Sequence, residues 1–162
     1  MQKLPAIQMD DQQSLFPELG EFLVSKGEEL LKKLGLEQAV ISLVLCDDLT
    51  IQEINRDWRN KDQPTDVLSF PQESDSSEFE GAEDMPQFYG DIVISVETCA
   101  RQAEEWKHTM EEEAIRLWVH GFLHLCGYDH QSEEETLEMR GKEFELLAML
   151  GSSDISPLAR LN

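Results

Sequence analysis

The sequence predicts an α+β fold: a small mixed β-sheet of about four strands packed against about five helices, in one domain over residues 1–162. Three observations predict it. Short β-branched apolar runs alternate with longer stretches whose apolar residues recur at helical spacing. Capping residues and helix-stop glycines punctuate the longer stretches. Two of the strand-like runs follow each other with no helix between them, which breaks a strict alternation and points to a mixed sheet. No internal repeat is visible, and 162 residues are enough to bury a sizeable core.

Ala6 to Met9 reads as a short first strand. Pro17 to Leu34 reads as a helix, because Leu19, Phe22, Leu23, Leu30, Leu31 and Leu34 fall near one face and Gly35 supplies a stop. Ala39 to Cys46, AVISLVLC, has the length and branching of a strand. Asp48 or Thr50 is suited to cap a helix running to about Trp58. Asp66 to Phe70 is a strand ended by Pro71, and Tyr89 to Ser95 is the strand that follows it. Ser95 or Val96 opens a helix to about Lys107. Thr109, with Glu112 three residues on, forms a capping box for a helix through Leu125 that stops at Gly127. Ser132 and Glu135 repeat that pattern for a last helix ending at Gly151.

The composition is strongly acidic: 13 Lys and Arg against 34 Asp and Glu, a formal net charge of −21. Such a field repels polyanions at long range, so an RNA-directed function has to answer it. Much of the acidity has an ordinary origin. Ser74 to Met85 carries five acids and no base and reads as a solvated loop. Glu111 to Glu113 and Glu133 to Glu135 read as first turns of helices, where carboxylates suit the macrodipole. Cys46, Cys99 and Cys126 are odd in number, widely spaced and form no C-x-x-C pair, so neither a disulfide framework nor a cysteine zinc site is indicated. No apolar run approaches the ~20 residues that cross a bilayer, and no secretory signal is visible, so a cytoplasmic protein with no membrane partner is expected.

Three of the four histidines lie in HGFLHLCGYDH, residues 120 to 130. His120 and His124 stand at i and i+4, one helical turn apart and about 40° from each other around the axis. Gly127 ends the helix and lets the chain return, bringing His130 to the same point. Three neutral imidazoles suit Zn2+ and leave a fourth position open, as in catalytic rather than closed structural sites. Nickel, iron or copper would also bind such a set. The spacing is that of the zinc endopeptidase motif H-E-x-x-H-x-x-G-x-x-H, but Gly121 stands where the general-base glutamate belongs. A mid-helix glycine costs about 1 kcal/mol relative to alanine. Two reasons for it stand equally: room beside the metal, or close packing against a neighbouring strand. Asp129 reads as a turn residue or a partner for an imidazole. His108 reads as a surface residue. Trp118 is expected to be buried, with Trp58 and Trp106 nearby.

Asn55 to Pro71, NRDWRNKDQPTDVLSFP, gathers Arg56, Arg59 and Lys61 into a basic cluster in an acidic chain. Alone, it would be a solvated helix end. Together with YGDIVIS, HGFLHLCGYDH and the last helix carrying Met139 and Glu143, it makes the chain resemble the YbeY family of rRNA-maturation endoribonucleases. The resemblance spans about Leu43 to Gly151 and implies a zinc-dependent, single-strand-specific endoribonuclease acting in 16S rRNA maturation and ribosome quality control. It implies His120, His124 and His130 as Zn2+ ligands, with His120 and Arg59 as catalytic residues. It implies that Asp91 contacts a small ribosomal subunit protein or an assembly factor. A cleaved phosphodiester builds charge on its oxygens, and a bidentate guanidinium suits that charge. Two other readings remain: a ribosome-assembly binding factor with a structural zinc, and a zinc-dependent peptidase or amidase. The latter lacks its base.

Overall fold

The structure is a computed structural model, and it describes residues 4–72 and 85–152. Nearly all of the acidic run expected as a solvated loop, residues 74–84, lies outside them. Among the described residues nine elements follow in order. They are β1 (Ile7–Asp11), α1 (Leu19–Lys33), β2 (Ala39–Cys46), α2 (Asp48–Arg59), β3 (Val67–Pro71), β4 (Gln87–Ser95), α3 (Val96–Trp106), α4 (Met110–Leu125) and α5 (Glu133–Met149). The α+β expectation of four strands and five helices is met, and the sheet is mixed, with order β1-β2-β4-β3. β1 and β4 each run parallel to β2, while β3 runs antiparallel to β4.

The two faces of the sheet are covered unequally. Ile41, Leu43, Leu45, Ile92 and Ile94 point to the main core, against α1, α4 and α5. The opposite face holds a small cluster of Cys46, Ile51 and Val93, which α2 supplies with Ile51. Period-two alternation along β2 and β4 accounts for this division. At the centre of the main core Trp118 and Phe122 of α4 stack at 5.4 Å. Gly27 of α1 gives them room, since a Cβ there would lie 2.1 Å from Ile7 Cδ1 and 3.0 Å from the Trp118 ring. α4 is thereby wedged between α1, the sheet and α5.

Several expectations need correction. The cap of α2 is Asp47, whose carboxylate accepts from Thr50 N–H at 2.8 Å. Asp48 instead reaches α3, accepting from Ser95 Oγ and Thr98 Oγ1 at 2.6 Å each and from Arg101 at 2.7 Å. Glu113 opens α4 as expected, but it is fully buried and held by Arg116 through two hydrogen bonds of 3.0 and 2.8 Å. His108 is no free surface residue: its side chain is 13% exposed and its Nδ1 lies 3.7 Å from Glu113 Oε1. Trp118 is buried as expected, whereas Trp58 and Trp106 are at the surface.

Candidate metal centre and its groove

α4 starts at the Thr109–Glu112 capping box, in which both reciprocal hydrogen bonds are formed. It ends with Cys126, Gly127 and Tyr128 donating back into the last turn, Gly127 at φ 99°. Position 127 requires that left-handed backbone, which glycine adopts without a Cβ penalty. The reversal carries His130 back to the helix face that bears His120 and His124. Asp129 accepts from the His130 backbone N–H at 2.8 Å, which fixes it as a turn residue.

The three imidazoles converge. Their ligand-competent atoms all lie within 4.8 Å of one another. His120 Nε2 and His124 Nε2 are 3.2 Å apart. A tetrahedral ion with ligands at about 2.0–2.1 Å separates two nitrogens by about 3.3 Å, so this pair already spans one edge of such a site. Burial pushes the His124 imidazole down from its ordinary value, and His120 and His130 push the same way. A hydrogen bond to the Tyr128 backbone acts against them. His124 therefore tends to the neutral form, the one that offers a lone pair.

Glu143 of α5 supplies what the sequence reading left out. Its carboxylate meets His120 Nδ1 and is 1% exposed. A proton held on Nδ1 leaves Nε2 as the lone-pair nitrogen facing His124, the usual way a carboxylate sets a ligand's tautomer. A signal for it was present: Glu143 falls between Met139 and Leu146–Leu147 on the buried stripe of α5, where a charge needs a partner. The donor set, its spacing and this orienting carboxylate fit a divalent ion.

Gly121 points the other way, to the sheet. A Cβ there would lie 3.1 Å from Ile92 Cγ2 and 3.3 Å from Val67 Cγ2. Of the two reasons open for this glycine, close packing is the one with direct contacts. A glutamate at this position would be driven into β3 and β4.

Arg59 ends α2, and one N–H of its guanidinium donates to Ser69 O. The guanidinium lies 5.1 Å above the Phe70 ring. It opens with Lys61 onto a groove of about 780 Å3 that also contains His120, His124 and His130. Asp91 is not part of it. It is exposed on β4, one residue from Ile92, and alternation turns it to the face away from α4.

This arrangement defines a class: an α+β protein with three histidines, on a helix and the turn after it, that could hold a metal ion and that face a groove lined by Arg59 and Lys61 together with Asp66 and Asp129. The chain belongs to the YbeY family, whose model, described as Endoribonuclease YbeY, matches residues 6–151. An Endoribonuclease YbeY of Bacillus cytotoxicus is 46% identical over 143 residues, covering 83% of this chain and 90% of that protein. One from Pelotomaculum thermopropionicum is 46% identical over 129 residues, 79% of this chain and 84% of the relative. A Thermotoga maritima protein solved in solution superimposes with a TM-score of 0.57 at 30% identity, covering 93% of this chain and 97% of that one. These likenesses make the chain an endoribonuclease by family, and the histidine group is consistent with metal dependence. Among the described residues no helix is long and apolar enough to cross a membrane.

Proposed function

We propose that this protein is a zinc-dependent endoribonuclease that cuts single-stranded RNA in the maturation of ribosomal RNA. The observation that carries the reading is the shared groove: three convergent imidazoles and the Arg59 guanidinium open onto the same space. His120, His124 and His130 would hold the zinc, which when bound would supply Lewis acidity at a phosphoryl oxygen. Arg59 binds the scissile phosphate and offsets charge developing on its oxygens, with its orientation fixed by Ser69 O and the Phe70 ring. Glu143 holds the His120 proton at Nδ1.

The net charge of −21 limits capture of free RNA. Delivery by the small ribosomal subunit or an assembly factor answers that, with Asp91 as a contact on the face away from α4, in the cytoplasm. A peptidase is disfavoured because the position of its base faces the sheet.

The test is cleavage of an end-labelled single-stranded RNA by the wild type beside Arg59→Glu and His120→Ala, purified identically. Activity confined to the wild type supports the assignment, and the product ends then tell hydrolysis from attack by the RNA's own 2′-hydroxyl. Equal activity in all three is contamination. No cleavage by zinc-loaded wild type, on free RNA or on small subunits, sinks the reading in favour of an assembly factor.

A further inference from the structure

Trp58 is 74% exposed, although it continues the apolar stripe of α2 that begins at the fully buried Ile51. A single exposed apolar side chain needs no explanation. Trp58 differs in how it is held and in what lies beside it. Its ring meets Phe70 edge-on, with centroids 6.3 Å apart and planes at 62°. The same Phe70 ring carries the Arg59 guanidinium. One aromatic side chain thus braces two consecutive residues of different chemistry.

The backbone under them is pinned. Asn60 ends the helix in the left-handed region at φ 58°. Buried Asn55 donates from Nδ2 to Gln63 O at 2.9 Å, which ties the following turn to the helix. A surface fixed in this way loses little entropy when a ligand settles on it. Its charge also differs from that of the rest of the chain. Arg56, Arg59 and Lys61 fall within six residues, in a protein of net charge −21. Asp57 pairs with Arg56 at 3.0 Å and leaves Arg59 and Lys61 as the local excess. Arg59 and Lys61 face the groove that holds the histidines.

An exposed indole next to a fixed guanidinium matches the repeating pattern of a nucleic acid strand, a flat base beside a phosphate. Every base offers a π-face for stacking, but only a single strand has that face free; in a duplex it is covered. We propose that Trp58 is a stacking platform for one base of a single-stranded RNA whose neighbouring phosphate lies on Arg59. The proposal rests on the endoribonuclease reading and gives its single-strand preference a structural origin.

The experiment measures binding apart from turnover. His120→Ala protein is titrated into a short fluorescein-labelled oligoribonucleotide and followed by anisotropy, with and without Trp58→Ala. Loss of one stacked base is expected to weaken binding about 5- to 150-fold. Trp58→Tyr restores most of it. The slope of log affinity against log salt is unchanged by Trp58→Ala but falls by about 0.7 in Arg59→Ala, which loses a phosphate contact. Unaltered melting and Trp118 emission exclude a folding defect. With His120 intact, Trp58→Ala raises KM and leaves kcat nearly as it was. RNA affinity within twofold of the parent, with cleavage still present in the wild type, overturns the platform and leaves the endoribonuclease reading standing. If no form binds or cuts RNA, both fall. Full RNA affinity with loss of co-sedimentation on small ribosomal subunits overturns the proposal and assigns the indole to a protein contact.

Discussion

Replacing Glu143 is expected to weaken metal binding in two graded steps. The carboxylate is 1% exposed and meets His120 Nδ1, where it can accept a hydrogen bond from a protonated Nδ1. A hydrogen bond to a charged group contributes about 1.5–3 kcal/mol, and a neutral one about 0.5–1.5 kcal/mol. Glu143→Gln keeps the volume and an acceptor oxygen but loses the charge, a difference of about 1 kcal/mol, or roughly fivefold in zinc affinity. Glu143→Ala removes the bond altogether, which corresponds to about 10- to 150-fold. The assay is competition for zinc against a chromophoric chelator, at a temperature where both variants are folded by circular dichroism. Wild-type affinity in Glu143→Ala would refute the reasoning, because His120 would then need no partner to present Nε2. Equal losses in the two variants would show that the charge, not the volume or the remaining acceptor oxygen, is what matters.

Other outcomes follow from the same contacts. Gly121→Glu, which restores the peptidase motif in sequence, is expected to gain no peptidase activity. It should lose about 1–3 kcal/mol of stability in urea unfolding, because its Cβ starts 3.1 Å from Ile92. Arg116→Ala leaves the fully buried Glu113 without its main partner and should cost about 3–5 kcal/mol, with most of it recovered in Arg116→Met/Glu113→Leu; a single-variant loss under about 1 kcal/mol contradicts this. Burial pushes the Asp48 carboxyl up, but hydrogen bonds from Ser95, Thr98 and Arg101 more than offset it, so its pKa lies below the ordinary value. Its contribution is then fully present above the unfolded pKa of about 3.9 and is lost as pH falls through the lower folded value. Asp48→Asn should therefore be less stable than wild type by about 1–2 kcal/mol at pH 7, and the gap should close only in strong acid.

Local signals made much of the fold legible. The Thr109–Glu112 and Ser132–Glu135 caps and the glycine at 127 mark α4 and α5, because those devices act within one helical turn. The histidine cluster was legible for the same reason, since its spacing lies inside one helix and one turn. What escaped were interactions across elements. Asp48 or Thr50 was expected as the cap, yet Asp47 is the cap and Asp48 turns to α3, 50 residues from Thr98 in sequence. Glu113 looked like one more first-turn carboxylate, and only the packing of α4 against α3 shows that it is buried with His108 beside it. Glu143 stands 23 residues from His120; the sequence offered it within the resemblance and as a charge on an apolar stripe, but not its partner. The parallel pairing of β1 with β2 has no counterpart in the alternation of β1 itself, whose last four residues are exposed.

The three histidines are not held alike. His120 and His124 ride on a helix wedged into the core, whereas His130 stands exposed on the short stretch between α4 and α5. Its neighbourhood is secured by the turn bond to Asp129 and by Thr136 Oγ1 donating to its carbonyl at 3.4 Å. A divalent ion held by this set would rest on two imidazoles fixed by the core and on a third fixed only by the turn after Gly127. How readily such an ion is released would then depend on the three residues from Tyr128 to His130, apart from the stability of the domain.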